Sequence, residues 1–287
     1  VRRCVVTGAA GLIGSHLLAT LGADWEVHAV SRSEPAGGAS GIFWHRMDVS
    51  RTLDPHALPD RVDAVIYLAQ SEHFRDFPDR ALDIFEVNTV GLLRFLEYAR
   101  RNGARSFVYG SSGGVYGSGD AGMTEEAAIP AEGNLGFYLG SKLCSEIVAL
   151  NYARFMSIAL LRFFFVYGPG QRRTMLIPRL IESVRSGTPV QLQGNDGIRI
   201  NPTHVADAAA AIVRALDLDG THKINVAGPE ILSLREICET IGRAVGRRPV
   251  YALDPATPRH IIGDITKMRE LLVPPRVAFA DGIRTML

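Results

Sequence analysis

Short unbroken apolar runs, rich in Val, Ile and aromatic residues, alternate along this chain with longer stretches whose apolar positions recur at helical spacing. The first pattern is that of strands buried on both faces, and the second that of amphipathic helices. The runs predict strands at 4–6, 26–30, 63–68, 106–109 and 157–165, and the spacing predicts helices at 12–21, 79–101 and 138–155. In the 79–101 segment Ile84, Val87, Leu92, Phe95, Leu96 and Ala99 mark one face. Alternating strand and helix is the signature of parallel βαβ units, so the predicted class is α/β. After Gly168-Pro169-Gly170 the rhythm changes to shorter helices, at 176–186, 234–245 and 266–272, mixed with brief strands and prolines. A helix at 205–216 and a strand at 223–226 are expected to return to the first sheet. The expected organisation is a dinucleotide-binding domain over 1–168, rejoined by 204–227, and a smaller lobe made of 169–203 and 228–287.

The dinucleotide expectation comes from the first strand, which runs directly into Thr7-Gly8-Ala9-Ala10-Gly11-Leu12-Ile13-Gly14 and then into a helix. Gly8 permits the tight turn, Gly11 lets a pyrophosphate approach the backbone, and Gly14 lets helix and strand pack closely. The phosphates would meet the free amides at the helix start, around Leu12 and Ile13. This predicts a Rossmann-type doubly wound parallel sheet. The second strand ends Val30-Ser31-Arg32, where an NAD site usually places a carboxylate on the ribose 2′-OH. Ser31 with Arg32 suits the 2′-phosphate of NADP instead, with Glu34 as the residue that would restore an NAD preference. Asp48-Val49, after the third strand, and Leu68-Ala69, at the end of the 63–68 strand, complete the candidate cofactor contacts.

The strand at 106–109 leads into Gly110-Ser111-Ser112, and the following helix carries Tyr138 and Lys142 on one face. A lysine ammonium beside a phenol is expected to lower its pKa, so that Tyr138 moves a proton near neutrality. A serine hydroxyl would share the hydrogen bond to a substrate oxygen.

In this order the motifs resemble the extended short-chain dehydrogenase/reductase family, the NAD(P)-dependent nucleotide-sugar epimerases, dehydratases and reductases. The resemblance runs through the glycine loop, Asp48-Val49, Val87-Asn88-Thr89-Val90-Gly91, Ser111-Ser112 with Val115-Tyr116-Gly117, and Tyr138 with Lys142. It continues through Val166-Tyr167-Gly168-Pro169-Gly170-Gln171, Arg199, His204-Val205 with Asp207, and Asp264-Ile265-Thr266-Lys267. It implies that Ser112, Tyr138 and Lys142 are catalytic, Tyr138 as general acid/base and Lys142 also on the nicotinamide ribose. It implies that Arg199, and Arg259 by a looser match, bind nucleotide-sugar phosphates, and that Phe165 stands where a substrate-holding Asn is usual. Gly113 and Gly114 replace the Asp-Glu pair that assists elimination in the sugar dehydratases, and Leu139 replaces a frequent glycine. The implied reaction is hydride transfer at C4 of a nucleotide-activated sugar, as an epimerase. The alternative is an NADPH-dependent 4-ketosugar reductase, and the alternative of another class is a non-catalytic dinucleotide-binding sensor. A sensor needs only the glycine loop, so the intact Ser112, Tyr138 and Lys142 argue against it. The two long helices imply a homodimer.

Composition narrows the classes further. The 31 Lys+Arg balance 30 Asp+Glu, which argues against a nucleic-acid surface. No apolar stretch reaches the ~18 residues that span a bilayer, and the run at 4–6 is too short for a secretory signal. Cys4, Cys144 and Cys238 are far apart without a CxxC pair, which predicts a reducing cytoplasm, with Cys144 as a buried packing residue. The histidines show no ligand spacing, so no metal is expected.

Overall fold

The computed structural model describes residues 1–33, 41–54, 56–119, 121–130 and 135–287. Glu34 lies outside these residues. The chain divides into two compact units, one made of Val1–Val115, Pro130–Arg162 and Ala209–Ile224, the other of Tyr116–Ile129, Phe163–Ala208 and Asn225–Leu287.

The first unit is built on a seven-stranded parallel sheet of Rossmann type. Its strands are β1 (Arg2–Thr7), β2 (Trp25–Ser31), β3 (Ile42–Arg46), β4 (Ala64–Tyr67), β5 (Ser106–Ser112), β6 (Ser157–Phe163) and the late strand Thr221–Val226. Across the sheet the order is Thr221–Val226, β6, β5, β4, β1, β2, β3. The order reverses between β1 and β4, and a doubly wound sheet takes its ligands at the strand ends there. Thr7 lies level with Val30 on one side and Tyr67 on the other, so Gly8, Ser31 and Leu68 emerge at the same end. The unbroken apolar reading of these strands has its cause in burial: every residue of β4 is buried, and Val5, Val65, Phe107 and Leu160 join one core with Leu92, Phe95 and Leu96.

Helix α1 spans Leu12–Thr20. The predicted helix at 79–101 is not continuous. It starts as α2 (Ala81–Phe85), widens into a π-helical turn over Glu86–Val90, and resumes as α3 (Gly91–Arg101). The wide turn is held by partners from elsewhere in the fold: Tyr67 Oη donates to the Val87 carbonyl at 2.5 Å, and Ser145 Oγ to that of Asn88 at 2.9 Å. Gly91 is required there, since a Cβ would stand 2.5 Å from Tyr67 Oη. Helix α4 spans Gly136–Leu150, five residues short of its predicted end (155 against 150), where Asn151 turns its side-chain amide onto the Ile147 carbonyl. Its buried face is Ser141, Lys142, Ser145, Glu146 and Ala149. Cys144 falls out of that phase and is exposed, contrary to the packing role expected of it, whereas Cys4 and Cys238 are buried.

The second unit has its own core, in which Ile177, Leu180, Ile181 and Val184 of helix Leu176–Ser186 meet Ile237, Cys238 and Ile241 of helix Leu234–Val245. Ser233 and Glu236 form a reciprocal cap at the start of the latter helix. Its paired strands Val190–Gln193 and Tyr251–Asp254 are short, and Val190–Gln193 alternates buried and exposed residues, unlike the strands of the first unit. Among the described residues no helix is long and apolar enough to cross a membrane.

Candidate active site

The glycine loop follows from where side chains do not fit. Gly8 has φ +66°, and a Cβ there would lie 2.7 Å from the Leu68 carbonyl. A Cβ on Gly14 would lie 2.3 Å from the Gly8 oxygen, so only glycine lets α1 sit this close to the loop. Gly11 is the N-cap of α1 and offers no side-chain acceptor to the first-turn amides, which leaves Leu12 and Ile13 at an uncapped, electropositive helix start. Thr7 Oγ1 accepts from the Leu68 and Ala69 amides, each at 3.2 Å, and ties the end of β4 to the loop. A pyrophosphate fits this cradle.

At the end of β2 the Ser31 hydroxyl donates to the Ser33 carbonyl, and Arg32 is paired with Glu72 at 2.8 Å. Arg32 therefore shares its guanidinium with a carboxylate, an interaction the spacing around 32 does not foretell. Asp48 accepts from the Ser50 amide at 3.0 Å and from its hydroxyl at 2.7 Å. Burial works against the Asp48 anion, but these bonds, with Arg32 and Arg51 nearby, outweigh it and hold the carboxyl below the usual range. Val49 is buried beside it.

On α4, Lys142 is buried and its Nζ donates to the Gly110 carbonyl at 2.9 Å. The ammonium lies 5.2 Å from the centre of the Tyr109 ring and 6.0 Å from that of Tyr138. Burial pulls Lys142 down to about 8, against the opposing pull of Glu146. Tyr138 Oη donates to Gln70 Oε1 at 2.8 Å, and its ring rests 5.3 Å from that of Phe74. Burial pushes the Tyr138 phenol up, opposite to the lowering expected from the lysine. The physical reason is that desolvation of the phenol dominates. Ser112 ends β5, two positions past the carbonyl that Lys142 holds, and its Oγ accepts from the Gly114 amide at 3.2 Å. Gln70 is a site residue that the motifs do not mark. Its signal is position alone, directly after Leu68-Ala69 at the ligand end of β4.

Residues 4–227 match the NAD dependent epimerase/dehydratase family. The chain belongs to that family. It is an enzyme of the extended short-chain dehydrogenase/reductase type, which sets aside the non-catalytic reading. Among solved structures it is similar to MoeE5 in complex with UDP-glucuronic acid and NAD, at 30% identity and TM-score 0.86, covering 99% of this chain and 97% of that one. It is also similar to the UDP-glucuronic acid 4-epimerase of Bacillus cereus in complex with UDP-glucuronic acid and NAD, at 26% identity and TM-score 0.87, with the same coverage of 99% and 97%. Among curated proteins, the dTDP-4-dehydro-6-deoxy-D-allose reductase of a Streptomyces species is 28% identical over 94% of this chain and 90% of its own length.

Within this epimerase/dehydratase family the chain's departures have a local structure. A Cβ on Gly114 would stand 2.9 Å from Leu139 Cδ2 and 3.3 Å from Ser112 Oγ. The leucine thus takes the room that a side chain at 114 would need, so two departures in sequence are one in space. The remaining candidates belong to the second unit. Phe165 is half-buried with φ +43°, the left-handed region that suits asparagine and strains a bulky aromatic. Arg199 is exposed, its backbone amide bonded to His260 Nδ1 at 3.1 Å. Arg259 Nη2 donates to the Ser118 carbonyl at 2.9 Å.

Proposed function

We propose that the protein acts at C4 of a nucleotide-activated sugar, as a 4-epimerase using a nicotinamide dinucleotide. The observation that carries this is Lys142 of α4 bonded to Gly110 of β5, two positions before Ser112, with the Tyr138 ring 6.0 Å from its ammonium. An epimerase takes the C4 alcohol to the ketone and returns it with inverted configuration. Tyr138 takes the hydroxyl proton as the phenolate and gives it back as the phenol, Ser112 shares the hydrogen bond to that oxygen, and Lys142 supplies the positive charge that favours the phenolate against its burial. Gly8, Gly11, Leu12, Ile13 and Gly14 would hold the pyrophosphate, with Ser31, Arg32, Asp48 and Val49 toward the adenosine and Leu68, Ala69, Tyr138 and Lys142 toward the nicotinamide half. When bound, the dinucleotide supplies reversible hydride transfer. Arg199 and Arg259 are assigned to the diphosphate of the substrate and Phe165 to its sugar side. A UDP-sugar is supported by the complexes of the similar structures, and Gly113 and Gly114 argue against elimination.

A specific observation favours a second reading, an NADPH-dependent 4-ketosugar reductase. Arg32 suits NADP(H), a cofactor kept reduced and exchanged each cycle, and the Streptomyces relative is a reductase. Titration of NADP(H) and NAD(H) checks the preference, and Arg32→Asp should reverse it. Incubation with UDP-glucuronic acid, UDP-glucose and a dTDP-4-ketosugar, with nicotinamide absorbance and sugar products followed together, decides the reaction. Inverted sugar without net change in cofactor supports the epimerase, and stoichiometric consumption of NADPH overturns it. Exposed Leu82, Phe85 and Leu93 on α2 and α3, with Ile147 on α4, support a homodimer formed through these helices. A monomer by light scattering at micromolar concentration would refute that assembly. The free cysteines support a cytoplasmic setting.

A further inference from the structure

Glu146 lies one helical turn beyond Lys142 on the buried face of α4 and has no role in the chemistry above. Its carboxylate accepts from Ser111 Oγ at 2.5 Å, from Arg162 Nε at 2.9 Å and from Arg162 Nη2 at 2.6 Å. The glutamate and arginine side chains are 2% and 1% exposed. Such a pair is expensive to desolvate and contributes little more to stability than well-packed apolar residues of the same volume. Its surroundings indicate another use. Ser111 stands between Gly110, whose carbonyl receives Lys142, and Ser112. Glu146 therefore binds α4 to the same stretch of β5 that the lysine and the serine use, and Arg162 extends the tie to β6. Facing Lys142 are Tyr138 and Glu146 from its own helix and the Tyr109 ring from β5, and Glu146 is the carboxylate among them.

We propose that Glu146 is a positioning residue: with Ser111 and Arg162 it fixes Lys142 and Tyr138 in register with Ser112 and provides the counter-charge for the lysine. It acts through Lys142 and does not touch substrate. The inference rests on the assignment of Lys142 to the acid/base set, yet its test needs no substrate. The chain has three lysines, Lys142, Lys223 and Lys267, so isotope-labelled lysine side chains resolve each by NMR, Lys142 being identified by its loss in Lys142→Met. Glu146→Gln alone removes the charged partner that holds the buried Arg162 at two nitrogens and is expected to fold poorly. Glu146→Gln/Arg162→Met replaces both charges with neutral groups of similar size and is the variant to titrate. Its Lys142 midpoint should fall by about one pH unit, with Lys223 and Lys267 unmoved. With UDP-glucuronic acid as probe substrate, kcat should fall about tenfold or more and KM little. A Lys142 midpoint equal to wild type, in a variant with wild-type circular dichroism, overturns the proposal whatever the substrate proves to be. Failure of the nucleotide-sugar reading would appear instead as wild-type protein inert toward every sugar nucleotide, with the midpoint shift intact.

Discussion

At the glycine loop the chain makes room by leaving side chains out, and a Cβ at Gly8 or Gly14 would strike backbone at 2.7 or 2.3 Å. On the buried face of α4 the chain fills the same compact unit with charge, and Lys142, Glu146 and Arg162 are all held out of water by hydrogen bonds. Each site is therefore vulnerable in its own way. A loop shaped by backbone tolerates no added atom and is indifferent to pH. A cluster of buried ions depends on which protons it holds.

The largest effect should come from adding bulk at the loop. Gly14→Val is expected to cost about 3 kcal/mol of stability and to abolish dinucleotide binding, checked by thermal melting and by cofactor titration. Retained binding would show that the loop yields where the distances say it does not. Next comes the charge on α4. Because burial depresses Lys142 to about 8, turnover should fall as pH rises through that value, and Lys142→Met should lose both activity and this limb. Stability carries the opposite sign. Between about 8 and the ordinary lysine range the folded protein has released the Lys142 proton while the unfolded chain keeps it, so this group's contribution to stability rises with pH. Denaturant unfolding of wild type against Lys142→Met across that window reads the slope. The smallest effect belongs to Arg32. Its partner Glu72 competes with a 2′-phosphate, but the pair is exposed, and Glu72→Gln should favour NADP over NAD by about fivefold at most. A change toward NAD in that titration would place the phosphate elsewhere.

How far each region was legible in the sequence follows from the same contrast. Gly8, Gly11 and Gly14 announce themselves because a backbone constraint demands one residue type at fixed spacing, and the strands show because burial on both faces leaves unbroken apolar runs. Tyr138 and Lys142 show because they share a helix face. Gln70 and Arg162 do not, since their partners Tyr138 and Glu146 lie 68 and 16 positions away and nothing local marks them. The π-helical turn at Glu86–Val90 was hidden for a related reason: Tyr67 and Ser145 hold it, and helical periodicity runs through it unbroken. The Arg32–Glu72 pair likewise joins residues from the ends of two strands that are distant in sequence.

On this reading Tyr138 moves the proton of the reaction through a hydroxyl that the dinucleotide does not need for affinity. Turnover of the sugar nucleotide and binding of the dinucleotide, measured side by side in wild type and Tyr138→Phe, test it most directly. The expected result is a turnover loss of about 10²-fold or more with dinucleotide affinity nearly intact. Wild-type turnover in Tyr138→Phe would contradict it.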